Sequence, residues 1–195
     1  RIMAALFVAV LLGCSVFNRE IGASAGSDKA GIFSEVRSDE ATPRGSAHLV
    51  IKADIKTHVE GYYVLESRES MHGKLGYPFL FSIDGQRVVW KVDGSQDNKP
   101  AYEADGKTSR DPEAREGIKY TLEKNVRLNP GVHKVFFSLP EENYEIEADI
   151  TLKEGGAATL EFRPVYRTKR SPTRIPTFLK GIARYEVFLN GVRLI

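Results

Sequence analysis

The chain has 195 residues, with 28 basic side chains, 26 acidic side chains and one cysteine. This length suits one globular domain with an accessory segment, and such a chain can bury enough surface to fold without a disulfide or a metal. The near balance of charge argues against a nucleic-acid partner, which needs a concentrated basic face. A single cysteine excludes an internal disulfide and a cysteine-based zinc site.

The first residues have the layout of an export segment. Arg1 precedes an uncharged apolar run over residues 2–13. This run is too short to span a bilayer as a helix, which needs about 20 apolar residues. A cationic start followed by such a run is typical of a secretory signal peptide, so we predict one over residues 1–13.

The apolar run ends in Leu11-Leu12-Gly13-Cys14, which resembles the lipobox of bacterial lipoproteins. Leu12 stands where that motif more often has a small residue. The resemblance implies that the chain is cut before Cys14, that Cys14 is acylated, and that the acyl chains hold the protein on a membrane. Each buried CH₂ adds about 0.8 kcal/mol, so two or more acyl chains anchor stably where one does not. Ser15, in place of an aspartate, favours the outer membrane if the cell is Gram-negative. A plain secreted protein and a cysteine buried in a core helix are the alternatives.

The chain from Cys14 onward has two parts that differ in composition. Residues 14–46 are rich in Gly, Ser, Ala, Asp and Arg, which predicts a flexible, lipid-anchored linker. From residue 47 to residue 195 the apolar residues recur with period two, which is typical of strands. The predicted strands lie near residues 48–56, 61–66, 79–83, 87–92, 119–128, 132–139, 145–152 and 158–162, with a final hairpin over 185–195.

Turn signals punctuate these strands. Asp84-Gly85 and Asn190-Gly191 are favoured two-residue hairpin turns. Long loops are expected at about 95–117 and 164–181, where few residues could enter a core. Because no helical period follows residue 46, the predicted fold is all-β, an antiparallel sandwich of the immunoglobulin-like or transthyretin-like kind.

The segment over residues 117–166 carries a second resemblance. Asn129-Pro130-Gly131, the His133-Lys134-Val135 strand, a turn at Gly155 and the strand Leu160-Glu161-Phe162 follow one another in an order that resembles PEGA and transthyretin-like β-sandwich modules. The characteristic tetrapeptide of the PEGA family is absent. The resemblance implies an extracytoplasmic, non-catalytic module with a role in envelope adhesion or assembly.

The sequence shows no recognisable catalytic or metal-binding motif. Asp54 and His58 are four residues apart, and in a strand this spacing would put them on the same face about 13 Å from each other, too far for one metal ion. We interpret the histidines as half-exposed surface residues and predict no catalytic residue, no metal and no cofactor. A Ser-His-Asp triad remains open, because its members are adjacent only in space. The histidines are His48, His58, His72 and His133.

Two acidic segments have ordinary explanations. The run from Asp93 to Asn98 offers oxygen ligands for calcium, but Asp, Gly, Ser and Asn also favour turns, so we interpret it as a solvated turn. Glu141-Glu142 is interpreted as surface charge, since adjacent carboxylates do not by themselves make a glycosidase pair.

The most distinctive stretch runs from Arg163 to Lys180, with six basic residues and no acidic one. A basic, proline-stiffened loop could bind anionic lipid headgroups or glycans, and each basic residue near an anionic membrane is worth about 1 kcal/mol. A solvated connection is the alternative. The candidate residues for an anionic partner are Arg167, Lys169, Arg170 and Arg174, with Tyr166 stacking or packing beside them.

Together these patterns predict a lipid-anchored, non-enzymatic envelope protein. Its expected partners are the membrane, through the anchor, and an envelope protein or an anionic glycan or lipid. Two alternatives stay open: a carbohydrate- or peptidoglycan-active enzyme, and a carrier that holds a lipid or another ligand in an apolar cavity.

Overall fold

The computed structural model describes residues 29–168 and 175–195. The predicted signal peptide and Cys14 lie outside these residues, as do Lys169, Arg170 and Arg174. The described part contains short 3-10 turns at Pro140–Glu142 and Phe178–Lys180. Its strands are β1 (Phe33–Glu35), β2 (Ala47–Thr57), β3 (Tyr77–Ile83), β4 (Gln86–Val92), β5 (Ser95–Lys99), β6 (Arg115–Leu128), β7 (Gly131–Leu139), β8 (Tyr144–Leu152), β9 (Ala157–Tyr166), β10 (Ile182–Leu189) and β11 (Val192–Arg193).

The strands form two sheets that pack face to face, which confirms the predicted all-β sandwich. The larger sheet has the order β1-β6-β2-β9-β10-β11. β1 pairs with the end of β6, and β5 pairs with the beginning of β6. The smaller sheet has the order β4-β3-β7-β8. All pairs are antiparallel except β2 with β9. Within the described residues, no helix has the length and apolar character needed to cross a bilayer.

Alternating burial explains why these segments are strands. On β2, Leu49, Ile51, Ala53 and Ile55 are buried, while the residues between them are only partly covered. A strand places successive side chains on opposite faces, so this pattern fixes which face meets the core.

Aromatic rings from both sheets fill the space between them. Phe137 of the smaller sheet is fully buried, and its ring centroid lies 4.7 Å from that of Phe81. It also lies 4.6 Å from Phe162 and 5.0 Å, edge-on, from Tyr185, both of the larger sheet. These ring contacts join the two layers.

The predicted linker over residues 14–46 contains a strand. β1 pairs with the end of β6, and Phe33 is buried against the core. The Gln86 carboxamide accepts hydrogen bonds from the backbone N–H groups of Ile32 and Phe33, and Trp90 Nε1 donates to Glu35. One buried aromatic ring and side chains from a distant hairpin therefore order a segment whose composition indicates a linker.

The predicted strand over residues 61–66 is wrong. Residues 58–76 form a long connection of turns, in which Val64 and Leu65 are each 97% exposed. The aromatic and β-branched residues favour a strand locally, but no strand lies beside them for pairing.

The predicted loop at 95–117 is shorter than expected. Ser95–Lys99 forms β5, which pairs with the beginning of β6, so the irregular part is residues 100–114. The chain changes sheets at Gly94, where a Cβ atom would lie 2.3 Å from Ile118 Cγ2. The second predicted loop, at 164–181, begins only at residue 167, because β9 continues to Tyr166.

Candidate functional site

Three irregular parts of the described chain, residues 58–76, residues 100–114, and residues 167–168 with 175–181, meet at one end of the sandwich. Tyr63 Oη donates to the Leu179 carbonyl at 2.9 Å, and the Phe178 N–H donates to the Pro112 carbonyl at 2.9 Å. These bonds tie the segments together beside two cavities of about 310 and 180 Å³. Long irregular loops that meet around a cavity are a common place for a binding site.

The larger cavity, which we name the end cleft, has one apolar wall and a charged rim. Tyr62 and Tyr63 stand at its wall, with side chains roughly half exposed. Asp111 lies on its rim and is paired with Lys99 at 3.1 Å. Two further cations on the rim, Arg115 and Lys180, form no ion pair within the described residues.

The end cleft lies next to the described ends of the basic segment, by which we mean the stretch from Arg163 to Lys180. The Arg167 N–H donates to the Gly181 carbonyl, and the Thr177 N–H donates to the Arg167 carbonyl, each at 3.0 Å. Thr168 and Pro176 form an isolated β-bridge. Arg167 is exposed.

Tyr166 does not belong to that surface. Its side chain is 3% exposed, and its hydroxyl accepts a hydrogen bond from the Lys56 N–H at 2.8 Å and donates to Glu113 at 3.3 Å. Burial raises the pKa of this hydroxyl well above its usual range. Tyr166 is the last residue of β9, and its side chain points toward the core like those of the other buried residues of this strand. The prediction that it contacts a partner is therefore wrong.

A buried lysine lines the smaller cavity. The Lys56 side chain is fully buried, and its ammonium group donates to the carbonyls of Asp97, Glu113 and Arg115 at 2.7–2.8 Å and to the Asp97 carboxylate at 3.0 Å. Gly117 makes this possible, because a Cβ atom there would lie 2.7 Å from Lys56 Cε. Asp97 therefore serves the fold, and its predicted place in a solvated turn is wrong.

Glu113, whose carbonyl accepts from Lys56, also binds two more lysines through its carboxylate. Its carboxylate accepts from Lys99 and Lys119 at 2.8 Å each. Burial opposes the charged carboxylate, yet the two ammonium groups outweigh it and lower the pKa of Glu113. We name Lys56, Lys99 and Lys119, with Asp97 and Glu113, the lysine network.

The smaller cavity is lined by a cluster that the sequence did not reveal. His58 Nε2 and His72 Nδ1 lie 3.1 Å apart. One carboxylate oxygen of Glu66 lies 3.3 Å from His58 Nε2 and 3.0 Å from His72 Nδ1. Glu142 contacts the far side of His72, with Oε1 at 2.7 Å from Nε2. We name these four residues the histidine cluster.

Two interpretations from the sequence are corrected by this cluster. His58 is 6% exposed and so is no half-exposed surface residue. The Glu142 side chain is 11% exposed and accepts from the Tyr77 hydroxyl as well as from His72, so it is no ordinary surface charge. Burial disfavours a charged His72, but the Glu142 and Glu66 carboxylates outweigh that cost and raise the pKa of His72.

A glycine brings the two histidines together. Gly73 has φ +75°, and a Cβ atom there would lie 2.1 Å from the Glu60 backbone nitrogen. This close approach presses the backbone after His72 against the backbone after His58. The Gly73 N–H also donates to Thr57 Oγ1 at 3.2 Å.

The two other histidines have different surroundings. His133 is buried and links Asp84 Oδ2, at 2.7 Å, to the Asn129 carbonyl, at 2.8 Å, so it braces the β3–β4 turn. His48 is half-buried on β2, and its Nε2 has no hydrogen-bond partner among the described residues.

Sequence reasoning missed the histidine cluster because its members are separated by turns rather than by a regular period. His58, Glu66 and His72 follow one another at spacings of eight and six residues. Comparison of the chain with protein-family models, with curated proteins and with solved structures found no match.

Proposed function

We propose that this chain is a lipid-anchored, non-enzymatic protein of the bacterial envelope that binds an anionic group of an envelope glycan, lipid or protein at the end cleft. The observation that carries the proposal is the pair of cations on the cleft rim, Arg115 and Lys180. Both are exposed, and neither has an ion-pair partner within the described residues. A phosphate or carboxylate at this position would gain charge-assisted hydrogen bonds.

The wall of the cleft supports the same proposal. Tyr62 and Tyr63 offer aromatic faces next to the cations. An aromatic ring packs against the apolar face of a sugar or an acyl chain, while the cations hold a charged substituent. The basic residues Arg167, Lys169, Arg170 and Arg174, which the sequence predicts as contacts for an anionic partner, would extend the attraction.

The acylated Cys14 supplies the localisation in this proposal. An acyl anchor confines the domain to the membrane surface and raises its effective concentration for weak partners there. Cys14 acylation itself is tested by mass spectrometry of the protein extracted from bacterial membranes. A mature N-terminus at Cys14 with added acyl mass is expected, and an unmodified thiol would contradict the anchor.

Binding at the cleft is tested by NMR titration with a sugar phosphate and with its uncharged parent sugar. We expect the phosphate to shift the resonances of Arg115 and Lys180, with much weaker binding in the double variant R115Q/K180Q. The control variant R44Q/K153Q removes the same charge from exposed residues at the opposite end of the sandwich and should bind normally. Equal loss in both variants would show attraction by net charge alone and would contradict a cleft site.

The native partner is tested by crosslinking in the envelope followed by mass spectrometry. Replacing Arg167, Lys169, Arg170 and Arg174 by Ser should deplete the captured partners. Unchanged recovery would remove the basic segment from the proposal and leave the cleft as the site.

One observation favours a second candidate, an envelope enzyme that acts on carbohydrate or peptidoglycan. His72 is paired with the nearly buried Glu142 at the edge of the 180 Å³ cavity, and a histidine oriented by a carboxylate is a common acid-base arrangement. Incubation with purified peptidoglycan, followed by chromatography of the soluble fragments, tests this candidate. Fragment release by the native chain that is lost in His72→Gln would replace the non-enzymatic proposal.

A further inference from the structure

Three potential ligand atoms of the histidine cluster form a nearly equilateral triangle. The distances are 3.1 Å between His58 Nε2 and His72 Nδ1, and 3.3 and 3.0 Å from these atoms to one oxygen of Glu66. A tetrahedral Zn²⁺ ion has ligand atoms at about 2.0–2.1 Å, which places neighbouring ligands about 3.3 Å apart. An ion fits this triangle with shifts of a few tenths of an ångström.

The outward hydrogen bonds of the two rings suit a neutral tautomer whose inward nitrogens can bind a metal ion. His58 Nδ1 lies 2.9 Å from the Val59 carbonyl, which can only accept, so the proton of a neutral ring is on Nδ1. In a neutral His72 ring, the contact of Nε2 with the Glu142 carboxylate at 2.7 Å places the proton on Nε2. With both rings neutral, His58 Nε2 and His72 Nδ1 face each other with lone pairs beside the Glu66 oxygen, and either a metal ion or a proton can bind between them.

We propose that His58 Nε2, His72 Nδ1 and Glu66 bind one divalent transition-metal ion, with Zn²⁺ as the expected occupant. Two imidazole nitrogens and one carboxylate oxygen suit zinc and its neighbours in the first transition series better than calcium or magnesium, which prefer oxygen ligands alone. The compact triangle favours the small coordination number of zinc.

The residues around the ligands orient them as outer contacts of metal sites do. A metal-binding histidine commonly donates its second N–H to a carbonyl or a carboxylate, which fixes the ring and strengthens the ligand. Val59 and Glu142 occupy these two places. Ser70 Oγ donates to the Glu66 ligand oxygen at 2.7 Å and holds the carboxylate in position.

Three protein ligands leave the fourth position of the ion for water or for a ligand atom. His58, Glu66 and His72 all line the 180 Å³ cavity, so there is room for such a group. The ion would also join the beginning, middle and end of the irregular segment 58–72, which has few buried apolar residues to order it. This inference goes beyond the proposed function and does not depend on it.

The test uses the full chain, purified without a histidine tag, stripped with a chelator and titrated with Zn²⁺ by calorimetry and with Co²⁺ by visible absorption. We expect one ion per chain and the visible bands of a four- or five-coordinate Co²⁺. His58→Ala and His72→Ala should abolish the site, and Glu142→Gln should weaken zinc binding about 10–100-fold. His48→Gln, which removes a histidine far along β2, should leave the affinity unchanged.

A readout on the unaltered protein keeps the proposal testable if the variants do not fold. In ¹⁵N spectra of the histidine rings, Zn²⁺ should shift His58 Nε2 and His72 Nδ1 and leave the rings of His48 and His133 unchanged. If the cation between the rings is only a proton, Zn²⁺ will shift neither nitrogen and no stoichiometric binding will appear. That result, or zinc binding that persists unchanged in both alanine variants, would overturn the proposal.

Discussion

The interior of the sandwich and its loop end are stabilised by different interactions. Between the sheets, Phe81, Phe137 and Phe162 pack ring against ring. At the loop end, the fully buried Lys56 and the nearly buried Glu113 are held by hydrogen bonds and ion pairs. The first region gains free energy from surface removed from water, whereas the second is stable only if every buried polar group keeps its partner.

This difference indicates which region of the molecule can bind a ligand. A packed aromatic interior has no room for a ligand and presents no polar group to one. The loop end contains the end cleft with its rim cations, the 180 Å³ cavity and the histidine cluster. Substitutions in the two regions should therefore fail in different ways, and the following experiments measure that contrast.

The largest loss of stability is expected from Phe137→Ala in the interior. Phe137 is fully buried and contacts rings of both sheets, so truncation leaves a cavity and should cost about 3–5 kcal/mol in the free energy of unfolding. Urea denaturation measures this. The control is Val132→Ala on the same strand, where a side chain 73% exposed should change stability by less than about 0.5 kcal/mol. Comparable losses in both variants would mean that the sheets do not pack as described.

A somewhat smaller loss is expected from Lys56→Met at the loop end. The apolar chain of methionine fills the same space, but three carbonyls and the Asp97 carboxylate lose their common donor. Removal of one partner from a buried pair typically costs about 3 kcal/mol or more. Lys52→Met on the same strand removes only a surface pair with Glu123 and should cost less than about 1 kcal/mol. If Lys56→Met is as mild as Lys52→Met, the lysine network does not stabilise this end.

The same contrast explains how much could be predicted from the sequence. The alternation of Ile146, Ala148, Ile150 and Leu152 predicts β8, because a strand repeats every two residues and the core selects one face. Asp84-Gly85 predicts the β3–β4 turn, because type I′ geometry requires left-handed backbone at both positions. These features depend on neighbours in the chain.

The site depends on residues that are distant in the chain. Glu142 reaches His72 across seventy residues, and nothing in the local pattern around Glu141-Glu142 distinguishes it from surface charge. Tyr62 and Tyr63 have the composition of a strand but lie in a turn, since pairing is decided by which strands lie nearby. The lipobox at Cys14 and the likeness to PEGA and transthyretin-like modules remain predictions.

Two glycines of the loop end separate the effect of close packing from the effect of backbone conformation. Gly73 and Gly61 have nearly the same φ, +75° and +77°, but a Cβ atom meets the Glu60 backbone at Gly73 and open space at Gly61. Gly61→Ala should cost about 1 kcal/mol for the left-handed conformation alone. Gly73→Ala should cost about 1 kcal/mol more, because the two backbone segments must move apart. Thermal unfolding measures both variants, and equal costs would contradict the close approach that brings His58 and His72 together.

The smallest effect is the contribution of Glu113, at the loop end, to the pH dependence of stability. The pKa of Glu113 is lowered below its usual value of 4.5 in the folded protein, because Lys119 and Lys99 outweigh the cost of burial. The unfolded chain therefore takes up this proton first as the pH falls. The contribution of Glu113 is complete above the unfolded-state pKa and is lost as the pH falls through the folded-state pKa.

Glu113→Gln should remove this contribution, so the stability difference between the native chain and the variant should be largest near neutral pH and should shrink below pH 4.5. Urea denaturation from pH 3 to pH 7 measures the difference. Asp54 also binds Lys119, but burial raises its pKa, so Asp54→Asn should change the pH dependence with the opposite sign. A difference for Glu113→Gln that does not change with pH would show that its carboxylate contributes by packing rather than by charge, and the loop end would then be stabilised in the same way as the interior.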